Sequence, residues 1–548
     1  MSADHPADKV LGAGAREELP PRVQQPEWFE DAGPAEFDPL IGTDGGHAPR
    51  LARGALLQQG AQILRLVGGL VVVTVLAHRL SLSELGTYTI LLSLITYVMF
   101  MKSSVMNAAV VGVARAHAQG GGERLNLVVS TGFAIYLAIG VVSGAALCGI
   151  GLAVLPSLNI PHGLYHAAQL GVIGLAAATM LSWPVQIFDD LLRGLQRFEA
   201  VSGLEIFAMV VYMGGALVMA FTGAPVWAFV TWNASIPLLM GLACLFALRA
   251  LGISVIVAPS RVTRAEARRF GHFSGMLAIG GVADLAVYSI DRFALSALRS
   301  PALVGLYEGP LGAQNMIRYL NGVLSAPVVP VATNFFASGD IARVRELFVR
   351  GLRYTCAATV PFAIVMIVYG GPLLRLWLGN RFASVGTAAS VFSAWWLVGT
   401  NSGMISTMLI SVGNVKRLVQ GSWIAGAINV VLVFSLTGSL GIYGPIISSM
   451  TAYAATMIYS FPVAMRTADA TWSETARRAW VPSYVTGALM AALLLAARWG
   501  AHLTSKPETL VVVLISPLLY WAFYAAVWLT AEERRLALLT IRVRLPRR

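Results

Sequence analysis

Charge is scarce in this sequence. Only 12% of its 548 residues are Asp, Glu, Lys or Arg, while 57% are hydrophobic and the mean hydropathy is +0.70. No water-soluble domain buries so large an apolar share inside its own core, which excludes that class. Cysteine is scarcer still. Cys148, Cys244 and Cys356 all fall within apolar runs, at spacings that suit neither a disulfide framework nor a metal, and are expected to be packing residues. A Walker-type glycine loop is absent, which excludes a built-in ATPase motor. The first fifty residues lack the ordered cationic, apolar and small-residue regions of a signal peptide. They are rich in Pro, Gly and acids instead and read as a disordered acidic tail.

Long apolar runs, by contrast, are abundant. A transmembrane helix needs ~20 apolar residues, and fourteen such windows follow one another between residues 55 and 531. This predicts an all-α polytopic membrane protein. Assigning alternate loops to opposite sides places 24 Lys and Arg residues on one side and six on the other. The second set is Arg79, Arg299, Arg375, Arg381, Arg498 and Lys506. Cytoplasmic loops carry the basic excess, so both termini are expected in the cytoplasm and the number of spans is even. The net charge of +12 is then a topology signal that suits an anionic inner leaflet, with no nucleic-acid partner implied. Capping-box spacings at Thr263 to Glu266 and Thr471 to Glu474 suggest short interfacial helices, or else solvated loops. Trp183, Trp377, Trp395, Trp396 and Trp480 read mostly as interfacial belt residues, with one facing a cavity free to stack on a sugar.

The chain repeats itself. At an offset of 219, "LGTY" (85–88) meets "VGLY" (304–307), Gly120 and Arg124 meet Gly339 and Arg343, Gly132 meets Gly351, and "GLQR" (194–197) meets "GNVK" (413–416). Six spans separate the copies, so the two lobes share one orientation about an axis along the membrane normal. The expected organisation is a cytoplasmic tail at 1–50, a first six-helix lobe at 51–250 and a linker at 251–270. A second six-helix lobe follows at 271–466, then an interfacial helix with two further spans at 467–531 and a basic tail at 532–548. The two pseudo-symmetric lobes face each other across a central cavity.

The run from Gly69 through "LSLSELGTY", "GLQR" after the fourth span and "YSIDRFALS" through "VGLYEG" (288–309) resemble the polysaccharide flippases. These belong to the multidrug, oligosaccharidyl-lipid and polysaccharide exporter superfamily. The resemblance covers roughly residues 52–466, and the final helix pair matches the longer members. It implies an ion-coupled alternating-access carrier, an antiporter rather than an enzyme. Such a carrier moves undecaprenyl-diphosphate-linked glycan across a bacterial inner membrane for exopolysaccharide, capsule, O-antigen or lipopolysaccharide synthesis. A proton or sodium gradient would drive it, with no bound cofactor. Membrane lipids, a polysaccharide polymerase and a chain-length regulator are the further partners implied.

The ionisable residues at membrane depth are the candidate site, because such groups are costly there and persist where they face water or a partner. Gln58, Gln62, Arg65 and Gly69 form one polar stripe on the first span, expected to face the cavity. Asp284, the repeat counterpart of Arg65, shares a face with Tyr288 and Asp291. Two compatible readings are open: Arg65 and Asp284 latch the lobes as an ion pair, and Arg65 binds phosphate while Asp284 helps set the coupling-ion state; a gate that pairs when empty and releases Arg65 to ligand uses both. Arg318, near Asn315 on the eighth span, and Lys102 on the second complete a cationic set suited to a diphosphate. Lys102 can equally snorkel to the interface, and Arg318 can equally pair with Glu308 or Glu205. Glu205, Asp284, Asp291 and Glu308 are candidates for the coupling ion or for gating. Asp189 and Asp190 read as a solvated or ion-paired helix end beside Arg193.

Three competitors are weighed against the flippase. A membrane glycosyltransferase or polymerase would carry a large loop or a soluble nucleotide-sugar domain, and no loop here exceeds about 25 residues. A multidrug exporter of the same superfamily would centre its cavity on carboxylates. A lipid II flippase for peptidoglycan synthesis shares the fold, the cations and the extra helix pair.

Overall fold

The computed structural model describes residues 47–120, 122–258, 260, 262, 263, 268, 289–531 and 533–535. Residues 1–50 form one unit, of which the described part is the opening of the first helix, and residues 51–548 form the other. Every regular element among the described residues is helical. The first lobe comprises α1 (His47–Arg79), α2 (Leu82–Ala118), α3 (Glu123–Val154), α4 (His162–Gly194), α5 (Phe198–Thr222) and α6 (Val226–Ala250). Short connections make consecutive helices antiparallel neighbours. The first reversal is set locally: the Ser81 hydroxyl accepts from Glu84 N at 3.2 Å while Glu84 Oε2 accepts from Ser81 N at 2.7 Å. This reciprocal cap satisfies two donors that the start of α2 leaves open.

The second lobe contains α7 (Ile290–Leu298), α8 (Pro301–Ser325), α9 (Val328–Ala337), α10 (Ile341–Leu378), α11 (Gly386–Ala394), α12 (Trp396–Gly399), α13 (Ser402–Ser411), α14 (Val415–Leu440) and α15 (Tyr443–Thr467). The repeat is visible in these bounds. The α8–α9 pair, Pro301–Ala337, begins and ends 219 residues after α2, but is broken where Pro327 cannot donate a backbone hydrogen bond. By α6 and α15 the offset has shrunk to 217 at both ends, so the single ungapped register expected from the sequence does not hold throughout. The left-handed residue that ends α4 is Gln196, and its counterpart after α13 is Gly413, two positions from the alignment of "GLQR" with "GNVK".

Eleven helices among the described residues are long and apolar enough to cross a membrane. The expected fourteen are not reached there. The helices α1 and α2 contribute the shorter apolar stretches Val67–Arg79 and Leu82–Thr96, and most of the expected seventh span lies outside the described residues. After the lobes come α16 (Trp472–Thr475), α17 (Val481–Leu495) and α18 (Lys506–Val527). Thr471 caps α16 by accepting from Glu474 N at 3.3 Å, as its spacing implied; Glu266, in the other such spacing, is outside the described residues. Met490, Leu494, Tyr520 and Tyr524 of α17 and α18 pack on Cys356, Val360, Ile364 and Val368 of α10. Cys244 and Cys356 are buried free thiols in apolar packing, as expected. Trp183, Trp395 and Trp396 are buried inside the protein and not turned outward as belt residues would be. Trp183 packs edge-on against Tyr136 at 6.4 Å, because α4 lies inside the first lobe.

The lobes are bonded at the end of the helices that carries residues 80, 159, 300 and 380. Asn159 Nδ2 donates to the carbonyls of Ser296 (3.3 Å) and Ala297 (2.7 Å), and the Ser296 hydroxyl donates to the Leu158 carbonyl. Trp377 Nε1 donates to Thr74 Oγ1 at 2.8 Å, and Arg381 to the Leu80 carbonyl at 2.7 Å. Between them α2 and α8 cross at Gly86 and Gly305, which are 219 residues apart. A Cβ on Gly86 would lie 1.8 Å from the Pro301 carbonyl oxygen, and one on Gly305 would lie 2.2 Å from that of Leu82. Backbone meets backbone here, on the repeat axis.

Candidate substrate and gating site

Arg65 lies near the middle of α1, just before its apolar stretch Val67–Arg79, and is half exposed. Its Nη2 donates to Glu205 Oε2 on α5 at 3.0 Å. The other carboxylate oxygen of Glu205 accepts from Arg193 Nη2 of α4 at 2.7 Å, and Arg193 Nε reaches both oxygens of Asp189 at 3.2 Å. One chain of charges thus runs from the open face of α1 into the first lobe: Arg65, Glu205, Arg193, Asp189. Helical geometry builds it. Asp189 and Arg193 are an i,i+4 pair, and Glu205 enters from α5 about two turns beyond the tight connection at 195–197. Asp190, 1% exposed, turns to the other side and accepts from the Tyr136 hydroxyl at 2.6 Å.

Lys102 is committed within the same lobe. Its Nζ donates to Gln186 Oε1 at 2.5 Å, and Gln186 Nε2 donates to the Pro237 carbonyl at 2.6 Å, which ties α2, α4 and α6 together.

The second lobe has its own polar interior. Asp291 Oδ2 accepts from the hydroxyls of Tyr307 (2.8 Å) and Ser449 (3.1 Å), and Oδ1 accepts from Asn429 Nδ2 at 3.3 Å. The Asn429 oxygen in turn accepts from Ser448 at 2.8 Å. One buried carboxylate is therefore surrounded by oxygen- and amide-bearing side chains of α8, α14 and α15. Its neighbour Arg292 grips Glu308 in a two-pronged pair, 2.5 and 3.0 Å. At the 219 offset Asp291 falls opposite Val72, which is buried among hydrophobic side chains.

Arg318 is partly buried on α8, with its guanidinium 5.7 Å from the Tyr319 ring centre; Asn315 is partly buried one turn away. Asp284 and Tyr288 lie outside the described residues, as do the side chains of Gln58 and Gln62, so the proposed Arg65 to Asp284 pair falls there too. The partner of Arg65 within the described residues is Glu205, in its own lobe. The face of α1 turned to the second lobe is apolar. Val67, Val71 and Thr74 line a cavity of about 420 Å³ there, opposite Met316, Met366 and Trp377. Arg292 is not singled out by the sequence, and Arg193 is marked there only as a neighbour of Asp189 and Asp190; both are ion-paired to acids of the site. Each sits within one helical hairpin of an acid at membrane depth, which is the signal that was available.

Taken together, the helices and their buried charges define a class, an α-helical membrane carrier built from two repeat-related lobes. The solved structures it resembles agree on the fold. They include an inward closed form of the lipid II flippase MurJ (TM-score 0.64, 14% identity, 86% of this chain and 99% of that one). They also include the inward-facing conformation of a multidrug resistance MATE family transporter of the MOP superfamily (TM-score 0.59, 13% identity, 76% of this chain and 99% of that one). In sequence, the chain is 22% identical over 425 residues to the probable flippase AglR of Haloferax volcanii, covering 76% of this chain and 85% of that protein. A shorter stretch of 184 residues is 22% identical to the uncharacterized membrane protein EpsK of Bacillus subtilis. Residues 75–387 match the polysaccharide biosynthesis protein family, and the chain belongs to that family.

Proposed function

We propose that this protein is a flippase that moves undecaprenyl-diphosphate-linked oligosaccharide across the bacterial inner membrane, with Arg65 as a principal ligand of the diphosphate. Family membership and the likeness to AglR support the class of cargo. The observation that carries the site is the guanidinium of Arg65, half exposed in the middle of α1 and already engaged with a carboxylate. A group held this way has the fork geometry that phosphate oxygens accept. Arg318 is the second cationic ligand, on the opposite lobe, and Lys102 adds positive potential from behind Gln186. Asp291 is the coupling-ion position, where a proton or sodium ion would find the carboxylate of Asp291 and the hydroxyl oxygens of Ser449 and Tyr307 in reach. Arg292 and Glu308 brace that position.

In this reading the excess of basic residues in alternate loops puts both termini in the cytoplasm. The bonded end around Gly86 and Gly305 is then the outer gate, and it is closed. Transport needs no covalent chemistry: cargo enters from the inner leaflet, the outer contacts part, and the glycan leaves for a polymerase and chain-length regulator. The likeness to MurJ keeps a lipid II cargo as the second reading. Arg65→Ala and Arg318→Ala are expected to reach the membrane yet block export, with lipid-linked sugar accumulating on the cytoplasmic side. Normal export by both variants refutes the cationic site.

A further inference from the structure

Glu205 holds two cations at once. Its Oε2 engages the half-exposed Arg65 at 3.0 Å and its Oε1 engages Arg193 at 2.7 Å, while Arg193 also carries Asp189. The carboxylate is itself mostly buried, at 14% exposure. An anion in that position presents to Arg65 an acceptor oxygen of the kind that a phosphate would present. We infer that Glu205 is an internal counter-anion which the diphosphate of the cargo displaces from Arg65, and that Arg193 is the positioning residue that keeps Glu205 in place once Arg65 has gone. This rests on the reading of Arg65 as a diphosphate ligand.

The physical logic is a matter of what each departure leaves behind. A buried carboxylate stripped of its only cation is strongly destabilising. Glu205 has a second cation, so losing Arg65 leaves it paired with Arg193 and the release of Arg65 is inexpensive. On unloading, the sequence reverses: Glu205 recaptures Arg65 and lowers the affinity for the leaving phosphate. An arginine without such a competitor would bind the diphosphate more tightly and release it more slowly. Differential binding of this kind is what moves a carrier between states.

The two neighbours of Arg65 therefore have opposite effects. With undecaprenyl diphosphate as the probe and the full chain in nanodiscs, Glu205→Gln is expected to bind about fivefold more tightly, the size of a partly exposed ion pair. Its transport should show a lower KM together with a lower kcat. Arg193→Gln, which leaves Glu205 to Arg65 alone, is expected to bind about fivefold more weakly on the same scale. In the double variant the Arg193 effect should vanish, because it acts through Glu205. If the two charges acted only through their general field, the effects would add and the double variant would return to wild-type affinity, which overturns the inference. Glu205→Asp guards against a folding defect: it keeps the charge but shortens the bridge by one methylene, and it should also tighten binding. Wild-type or weaker affinity in a folded Glu205→Asp overturns the inference as well. Arg65→Gln separates the two levels of the account. Unchanged probe affinity in that variant removes the diphosphate site itself, whereas lost affinity with an unaltered Glu205→Gln removes only the displacement.

Discussion

Adding one methyl group at Gly86 should hold the outer gate open. In the closed arrangement that methyl would sit 1.8 Å from the Pro301 carbonyl oxygen and 2.7 Å from its carbon, with the Gly305 nitrogen at 3.0 Å. The first two obstacles are backbone atoms of α8, so no rotamer change relieves them. Reaching even 3.0 Å needs a withdrawal of about 1.2 Å along that contact. Overpacking of this kind costs ~1–3 kcal/mol, which shifts a two-state equilibrium by about 5- to 150-fold. The penalty applies to the closed gate and is relieved when α2 and α8 separate. Gly305→Ala should act alike, since its methyl would meet the Leu82 carbonyl oxygen at 2.2 Å. The assay is a distance measurement between spin labels at Ser157 and Ser384, which occupy the same end of opposite lobes. Cys148, Cys244 and Cys356 are first replaced. Both variants should show a longer distance population at this end and reduced transport. An unchanged distance distribution with wild-type transport would refute the reasoning. A lower melting temperature with an unchanged distribution would make the glycines folding residues and not gate residues.

Two further expectations follow from the charge pattern and the polar centre of the second lobe. Cysteines at Gly120, Val262 and Asp340 should be shielded from an impermeant thiol reagent in intact cells while one at Lys506 is labelled; labelling of Gly120 and Asp340 from outside would invert the topology. Asp291→Asn removes the charge but keeps the shape, and should abolish the dependence of transport on an imposed proton or sodium gradient while the protein still binds undecaprenyl diphosphate; retained gradient dependence would move the coupling ion elsewhere.

The class of protein and the repeat were legible in the sequence because both depend on composition and punctuation. Apolar runs of bilayer length have no other stable home, and positions such as Gly120 and Gly339 mark the same turn in both lobes. The loss of two residues between the copies was not legible, because the turn after α4 takes its left-handed backbone at Gln196 and not at a glycine. The candidate site was half legible. Arg65 stands out as a cation in an apolar helix; its partner among the described residues, Glu205, comes from the same lobe, while its repeat counterpart Asp284 lies outside them. Apolar windows are cut at charges, which puts Asp189, Asp190 and Arg193 at a helix end in the sequence, whereas α4 runs on to Gly194 with all three still inside it. Paired charges neutralise one another and let a helix continue where a window ends. Asp291 was picked out as a face neighbour of Asp284, yet what distinguishes it is the set of hydroxyl and amide groups that α8, α14 and α15 bring to it from far along the chain.

The central claim is that this chain moves a diphosphate-linked glycan lipid, with Arg65 holding its charged group. The most direct measurement follows the leaflet of such a lipid in sealed vesicles containing the purified protein. Undecaprenyl-diphosphate-linked sugar is placed in one leaflet, and an impermeant lectin or glycosidase reports its arrival in the other. The account predicts translocation by the wild-type protein well above that of protein-free vesicles, and translocation by Arg65→Gln at the protein-free level. Wild-type protein that moves no more lipid than empty vesicles, or Arg65→Gln that moves as much as wild type, would contradict it.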